Sequence, residues 1–333
     1  MRVTVFGGGS WGTAMAHHLA RRGHEVLMWA LEPEVAEAIT SRHRNPLFLS
    51  DLDLHPGLAA VSDLAAAARH ADLWLWVVPV QFSRPVMREL LPAVDEKVVM
   101  VSASKGIETE SLDRMDQLAA EVLAIPANRF CCLSGPTFAR EVVLGHPSAA
   151  VIACPDLELA ARLQESFADQ YLRCYAGTDL IGVELAGALK NVIAIAAGII
   201  DGLGLGFNTQ AALMTRGLHE ITRLGVALGA EAETFRGLAG MGDLVLTCTG
   251  GLSRNRSLGQ RLGRGEALQQ ILASTREVAE GVRTSPAAAR LAAANGVEMP
   301  IIHAVARLLA GETDPRTALR ELMTRQLKVE AEL

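Results

Sequence analysis

Apolar positions in the first half of the chain come as short unbroken runs, separated by stretches with helical spacing. Residues 2–6, Arg-Val-Thr-Val-Phe, are apolar and β-branched and predict a buried strand. Residues 10–22 repeat apolar positions at helical intervals and stop at Gly23, a natural helix C-cap. Residues 25–30 predict a second strand. Further strands are expected at 72–78, ending on Pro79, and at 98–102, 129–133, 151–154 and 172–175. Strands that are apolar throughout and separated by helices predict a parallel sheet covered on both faces.

Past about Asp179 the texture changes. The chain becomes Ala-, Leu- and Gly-rich, with helical periodicity and no clear strand. Helices are expected at 181–200, 208–228, 258–263, 267–272, 285–295 and 301–309. The pattern predicts an α/β N-terminal domain with a Rossmann-type doubly wound sheet over 1–180, followed by an all-α domain over 181–333. Residues 328–333 are charged and are expected to fray.

Composition narrows the class. A length of 333 residues suffices for two domains with their own cores. Half of the residues are hydrophobic and only 4% are aromatic, so Ala, Val, Leu and Ile are expected to fill the interior. No apolar run approaches the ~20 residues that span a bilayer. The longest, 192–200, is bounded by Lys190 and Asp201 and reads as a buried helix. The N-terminus offers one basic residue, Arg2, and runs straight into a strand, so no secretory leader, no integral membrane association and a cytoplasmic location are expected. The five cysteines, Cys131, Cys132, Cys154, Cys174 and Cys248, form no CxxC pair, which fits neither a metal site nor a disulfide framework. A net charge of −6 argues against a nucleic-acid partner.

Gly7-Gly8-Gly9-Ser10-Trp11-Gly12 is a GxGxxG. It follows an expected strand at the N-terminus and opens an expected helix, the context that gives the motif its meaning. Gly7 permits the tight turn, Gly9 lets a pyrophosphate approach the backbone, and Gly12 allows helix and strand to pack closely. The N–H groups at the helix start then face the phosphates. After the second strand comes Trp29-Ala30-Leu31-Glu32. Glu32 either bonds an adenosine ribose, where it would repel a 2′-phosphate, or caps the helix that begins near Pro33.

Several charges stand in apolar or glycine-rich settings. Lys105, in Ser104-Lys105-Gly106, follows a strand and is either a ligand-facing group or a solvated loop lysine. Ser134-Gly135-Pro136-Thr137 also follows a strand and by itself is a turn. Lys190-Asn191 forms a polar pair inside an apolar helix. Burial lowers a lysine's pKa, and a lysine near neutrality can exchange a proton with a reacting hydroxyl or carbonyl. Asp243 precedes an apolar run and either caps a helix or pairs with an active-site lysine. Ser253-Arg254-Asn255-Arg256 reads as a helix start with a serine cap and an arginine, which suits a phosphate.

In order and spacing, these motifs resemble the bacterial NAD(P)-dependent sn-glycerol-3-phosphate dehydrogenases over essentially the whole chain. The markers are residues 7–12, Lys105-Gly106, Ser134-Gly135-Pro136-Thr137-Phe138-Ala139, Leu189-Lys190-Asn191-Val192, Gly242-Asp243-Leu244 and Ser253-Arg254-Asn255-Arg256. The resemblance implies interconversion of glycerone phosphate and glycerol 3-phosphate with NAD or NADP, feeding phospholipid synthesis. It implies Lys190 as the proton-transferring residue. It places Lys105, Gly135, Thr137, Lys190, Asp243, Ser253, Arg254 and Asn255 around a small phosphorylated three-carbon substrate. Gly9, Ser10, Trp11, Lys105, Ala139, Arg254, Val278 and Glu280 would touch the cofactor, the last two within Glu277-Val278-Ala279-Glu280-Gly281. Members of that family often carry a basic residue or histidine where this chain has Leu31. With Glu32 beside it, NADP preference is expected to weaken, unless Arg42 or Arg44 restores it. A homodimer through the helical half is an open expectation. Two other readings remain. A 6-phosphogluconate- or 3-hydroxyacid-type dehydrogenase also uses a lysine in a helical domain, and a cofactor sensor would bind NAD(H) without turnover.

Overall fold

The computed structural model describes residues 1–275, 278–327, 329 and 330. Glu277 and most of the charged end at 328–333 lie outside the described residues. The chain divides into two compact units. One comprises Met1–Ser104 and Asp113–Leu180, the other Lys105–Leu112 and Ile181–Leu333. Lys105–Leu112, which a single cut at 180 leaves with the sheet, belongs to the second unit.

The first unit holds eight strands among the described residues: β1 (Arg2–Phe6), β2 (Glu25–Trp29), β3 (Ala59–Val61), β4 (Leu73–Trp76), β5 (Val99–Ser102), β6 (Phe130–Ser134), β7 (Ser148–Ala153) and β8 (Leu172–Gly177). They lie in the order β3-β2-β1-β4-β5-β6-β7-β8. β1 pairs in parallel with both β2 and β4, so the strand order reverses there. Ligands of doubly wound sheets bind beyond the strand ends at that reversal. Helices α1 (Ser10–Arg21), α2 (Pro33–Arg42), α3 (Leu64–Ala68), α4 (Val80–Leu90), α5 (Met115–Leu123), α6 (Ala139–Val143) and α7 (Leu157–Phe167) connect the strands.

Two features depart from the expected sheet. β3 pairs with β2 through only three residues, Ala-Ala-Val, too few to show a period. β7 runs antiparallel to β6, and β8 follows β7, so the last two strands oppose the first six. The link after β6 carries only the five-residue α6. At about 1.5 Å per residue that helix covers less than half the length of a six-residue strand, and the chain doubles back instead of crossing over. The scarce aromatics also concentrate rather than yielding the core to aliphatics alone. Phe6 lies 5.1 Å from Trp74 and 5.3 Å from Trp76, ring centre to ring centre, and all three are buried.

The second unit is helical: α8 (Leu180–Gly202), α9 (Phe207–Ala227), α10 (Ala232–Arg236), α11 (Asp243–Thr249), α12 (Arg254–Gly263), α13 (Leu268–Ala273), α14 (Glu280–Ala294), α15 (Pro300–Leu309) and α16 (Pro315–Met323). α8 is longer than its uninterrupted apolar run suggested. By length and composition it could cross a membrane, yet its apolar stretch is wholly buried in the unit. It forms the axis of a core that includes Leu189, Val192, Ile193, Leu224 and Phe235. α14 starts five residues before the expected 285, because the helix runs through Pro286. α10, α11 and α16 were not among the expected spans, although the capping reading of Asp243 implied a helix at α11. The first two flank the glycine-rich stretch Leu238–Gly242, which forms a π-turn.

Candidate active site

In the first unit, the glycine turn behaves as its sequence requires. Gly7 sits at φ +122°, and a Cβ there would lie 2.9 Å from the Val77 carbonyl carbon. A Cβ on Gly12 would fall onto the Gly7 carbonyl oxygen, so α1 can start only where that residue has no side chain. Gly9 faces open space, with nothing within 4 Å of an added Cβ. It is the N-cap of α1 and supplies no side-chain acceptor, so the helix start is left for a ligand. Ser10 directs its Oγ to the Phe48 carbonyl oxygen at 3.5 Å. Trp11 packs with Ala139 into a small cluster around Ala14, Leu49, Leu52 and Val143, and its buried Nε1 has no partner among the described residues. Open space over Gly9, an uncapped helix start and an unpartnered indole N–H together fit the pyrophosphate and its neighbours in a dinucleotide.

The turn is also tied from outside the motif. Asn45 is fully buried and donates Nδ2 to the Gly8 carbonyl oxygen and to Thr13 Oγ1, each at 2.8 Å. No sequence signal marked it, because an asparagine in a loop is ordinary. Leu31 is 71% exposed. Glu32 takes the N-cap position of α2, but its side chain makes no capping bond there. Arg44 is held by Asp53 at 2.7 Å, while Arg42 is exposed on α2. Gly135 needs its φ of +155°, and Thr137 turns its hydroxyl onto the Gly135 carbonyl oxygen at 3.2 Å.

In the second unit, three charges from distant parts of the chain meet. Lys190, in the middle of α8, donates Nζ to Asp243 Oδ1 at 2.5 Å and to Thr247 Oγ1 at 2.7 Å. Lys105 donates to the other oxygen of Asp243 at 2.7 Å. The π-turn ends immediately before Asp243, and such turns re-aim the residues that follow them. Asp243 and Thr247 are one helical turn apart on α11 and so share a face. That i, i+4 spacing was the available signal for Thr247, which sequence reasoning passed over. Of the two readings of Asp243, lysine pairing is the one its side chain adopts.

Burial sets the electrostatics. Desolvation pushes the Lys190 ammonium down to about 8; Asp243 opposes this and Lys105 adds to it. Burial also works to raise the Asp243 carboxyl, but the two lysines outweigh it and hold it below its usual range. Glu280, at the start of α14, is raised by burial against the pull of Arg254, Lys105 and Lys190. Arg254 is the exposed first residue of α12, and Ser253 caps that helix by accepting from Arg256 N–H at 3.2 Å. Asn255 is less available than its motif suggests. It donates Nδ2 to Asn191 Oδ1 at 3.0 Å and accepts the Gly281 N–H at 2.9 Å, leaving one amide N–H. Val278 is exposed.

One unit thus carries a glycine turn suited to a dinucleotide, and the other carries a buried lysine–carboxylate–lysine group and a capped, arginine-bearing helix start. Comparison with known proteins agrees. Residues 2–160 match the sequence profile of the NAD-dependent glycerol-3-phosphate dehydrogenase N-terminus, and residues 179–320 match that of its C-terminus. The chain is 51% identical over 330 residues to a glycerol-3-phosphate dehydrogenase [NAD(P)+] of Nitratidesulfovibrio vulgaris, covering 99% of this chain and 100% of the relative. It is 52% identical over 330 residues to the protein of the same name from Geobacter sp., covering 99% and 98%. The crystal structure of glycerol-3-phosphate dehydrogenase from Coxiella burnetii superposes with a TM-score of 0.93 at 36% identity, covering 97% of this chain and 99% of that one. The chain therefore belongs to the NAD-dependent glycerol-3-phosphate dehydrogenase family.

Proposed function

We propose that this protein interconverts glycerone phosphate and sn-glycerol 3-phosphate with NAD(H) or NADP(H), supplying glycerophospholipid synthesis. The observation that carries the reading is Lys190, a buried ammonium near neutrality inside the helical unit of a chain in this family. Gly9, Ser10, Trp11 and Ala139, with Lys105, Arg254, Val278 and Glu280, would hold the cofactor. When bound, the nicotinamide donates or accepts the hydride.

The chain's own residues supply the remaining chemistry. Reduction builds negative charge on the carbonyl oxygen, and Lys190 in its charged form stabilises that charge and then gives up a proton. Asp243 and Thr247 hold Nζ in one place, so little reorganisation is needed at the moment of transfer. Lys105 keeps the Asp243 carboxylate from binding Lys190 too strongly to release its proton. The substrate phosphate is assigned to Ser253, Arg254 and the free N–H of Asn255 at the start of α12, where the helix dipole adds to the arginine's charge. Gly135 and Thr137 are assigned to the substrate's polar end. Binding at the phosphate then orients the reacting carbon.

Family membership favours this reading over a 6-phosphogluconate-type enzyme, and the engaged lysine favours it over a non-catalytic sensor. A homodimer and a cytoplasmic location are part of the proposal; light scattering and cell fractionation test them. The central test is reduction of glycerone phosphate by wild type and Lys190→Ala, with NADH and NADPH in parallel. Turnover by wild type and its loss in the variant support the reading. Tight cofactor binding without turnover in wild type overturns it.

A further inference from the structure

Gly198 and Gly202 on α8 and Gly259 and Gly263 on α12 are each spaced by four residues, and each meets the backbone of the other helix. A Cβ on Gly198 would fall onto the Arg256 carbonyl oxygen and lie 2.7 Å from the Gln260 nitrogen. One on Gly259 would fall onto the Ile195 carbonyl oxygen and lie 3.1 Å from the Gly198 Cα. Gly202 and Gly263 repeat the relation one turn on, each with the other's Cα within 2.9 Å of the added atom. These neighbours are backbone atoms, so no rotamer change could relieve a side chain. Such small-residue crossings let helices touch backbone to backbone, with Cα–H groups facing carbonyl oxygens.

The crossing joins two helices that carry different parts of the proposed chemistry. α8 carries Lys190, and α12 begins with Arg254 and Asn255. At the end of α12 nearest that chemistry, a second contact repeats the constraint. Asn255 bridges Asn191, the neighbour of Lys190, to the Gly281 N–H at the start of α14. A Cβ on Gly281 would lie 2.7 Å from the Asn191 carbonyl oxygen and 2.8 Å from Asn255 Oδ1. The register of α12 on α8 is therefore set along its length by glycines and at its start by an amide clasp.

We propose that Gly198, Gly202, Gly259 and Gly263 are positioning residues: their crossing holds the phosphate-binding start of α12 in register with Lys190. The proposal rests on the functional reading above. It predicts that an added methyl group moves the helix start without touching either ligand, so the loss appears only for a substrate that carries a phosphate.

The test compares glycerone phosphate with phosphate-free dihydroxyacetone, and measures inorganic phosphate as a competitive inhibitor. In Gly259→Ala, kcat/KM for glycerone phosphate is expected to fall roughly tenfold to hundredfold, as for a displacement of about 1 Å. With NADH saturating, so that Arg254's part in holding the cofactor does not enter, the constant for dihydroxyacetone should stay within about twofold, and phosphate inhibition should weaken in parallel with the glycerone phosphate loss. Gly206→Ala, where an added Cβ meets nothing within 4 Å, should change none of these. Equal losses on both substrates, or unchanged phosphate inhibition, would overturn the proposal. If Gly259→Ala does not fold, Gly263→Ala carries the same comparison from the other end of α12, with the same two outcomes. If wild type reduces neither substrate, the functional reading falls. Calorimetric binding of inorganic phosphate to wild type and variant then decides the positioning role separately, with equal affinities counting against it.

Discussion

Lys190 and Lys105 bind opposite oxygens of one carboxylate: Asp243 accepts from Lys190 at 2.5 Å through Oδ1 and from Lys105 at 2.7 Å through Oδ2. Two ammonium groups share a single counter-charge in a buried place. That arrangement keeps a lysine charged yet ready to lose its proton, because neither full neutralisation nor full isolation is reached.

The pH dependence of reduction follows. With Lys190 pushed down to about 8, kcat/KM for glycerone phosphate reduction should fall above that pH as the ammonium is lost. Asp243 raises this pKa and Lys105 lowers it. The alkaline limb should therefore move to lower pH in Asp243→Asn and to higher pH in Lys105→Met. Profiles measured across pH 6–10 on all three proteins check the signs. Shifts in one common direction would contradict the arrangement.

Gly9 and Gly12 should fail in different ways. Gly9→Ala puts its methyl into open space, so thermal stability should hardly change while cofactor affinity drops about fivefold to 150-fold, an overpacking cost of about 1–3 kcal/mol on the bound state. Gly12→Ala drives a methyl onto the Gly7 carbonyl oxygen, so it should lower Tm as well. Calorimetric unfolding and tryptophan-fluorescence titration with NADH separate the two effects.

Cofactor choice should lean towards NADH. Leu31 offers no charge, Glu32 would repel a 2′-phosphate bound beside it, and Arg44 is engaged by Asp53. Leu31→Arg should shift the ratio of kcat/KM values towards NADPH. A strong NADPH preference in wild type would show that Arg42 or another base reaches the phosphate.

Stability should fall as pH rises through the range just below neutrality, because of Glu220. This buried carboxyl on α9 accepts the Ile301 N–H at 2.8 Å and the Ile302 N–H at 3.2 Å at the start of α15. Burial pushes it up to about 7 against those bonds. The folded state then holds its proton more tightly than the unfolded chain between about pH 4.5 and 7. Ionisation across that window lowers stability, by up to about 3 kcal/mol. Denaturant titrations at pH 5 and 8 should show the decline in wild type and a flatter dependence in Glu220→Gln.

Much of this protein was legible along the chain, for a local reason. The conformations of Gly7, Gly9 and Gly12 follow from backbone angles and the absence of Cβ within one turn, so six residues were enough to predict the turn itself. The apolar surroundings of Lys190 likewise announced a buried ammonium. The sheet strands β1, β2, β4 and β5 showed themselves because burial on both faces makes them continuously apolar.

Tertiary structure decided what depends on residues far apart in the chain. Asp243 could have been a helix cap until α11 packed beside α8 and brought it to a lysine 53 positions away. Asn255, read as a phosphate ligand, spends two of its hydrogen bonds on Asn191 and Gly281. β7 pairs antiparallel with β6, a direction that its apolar run does not encode. Local sequence dictates conformation through sterics and periodicity. Which charges share a buried site, and which polar groups are already satisfied there, depends on packing that no short stretch of chain encodes.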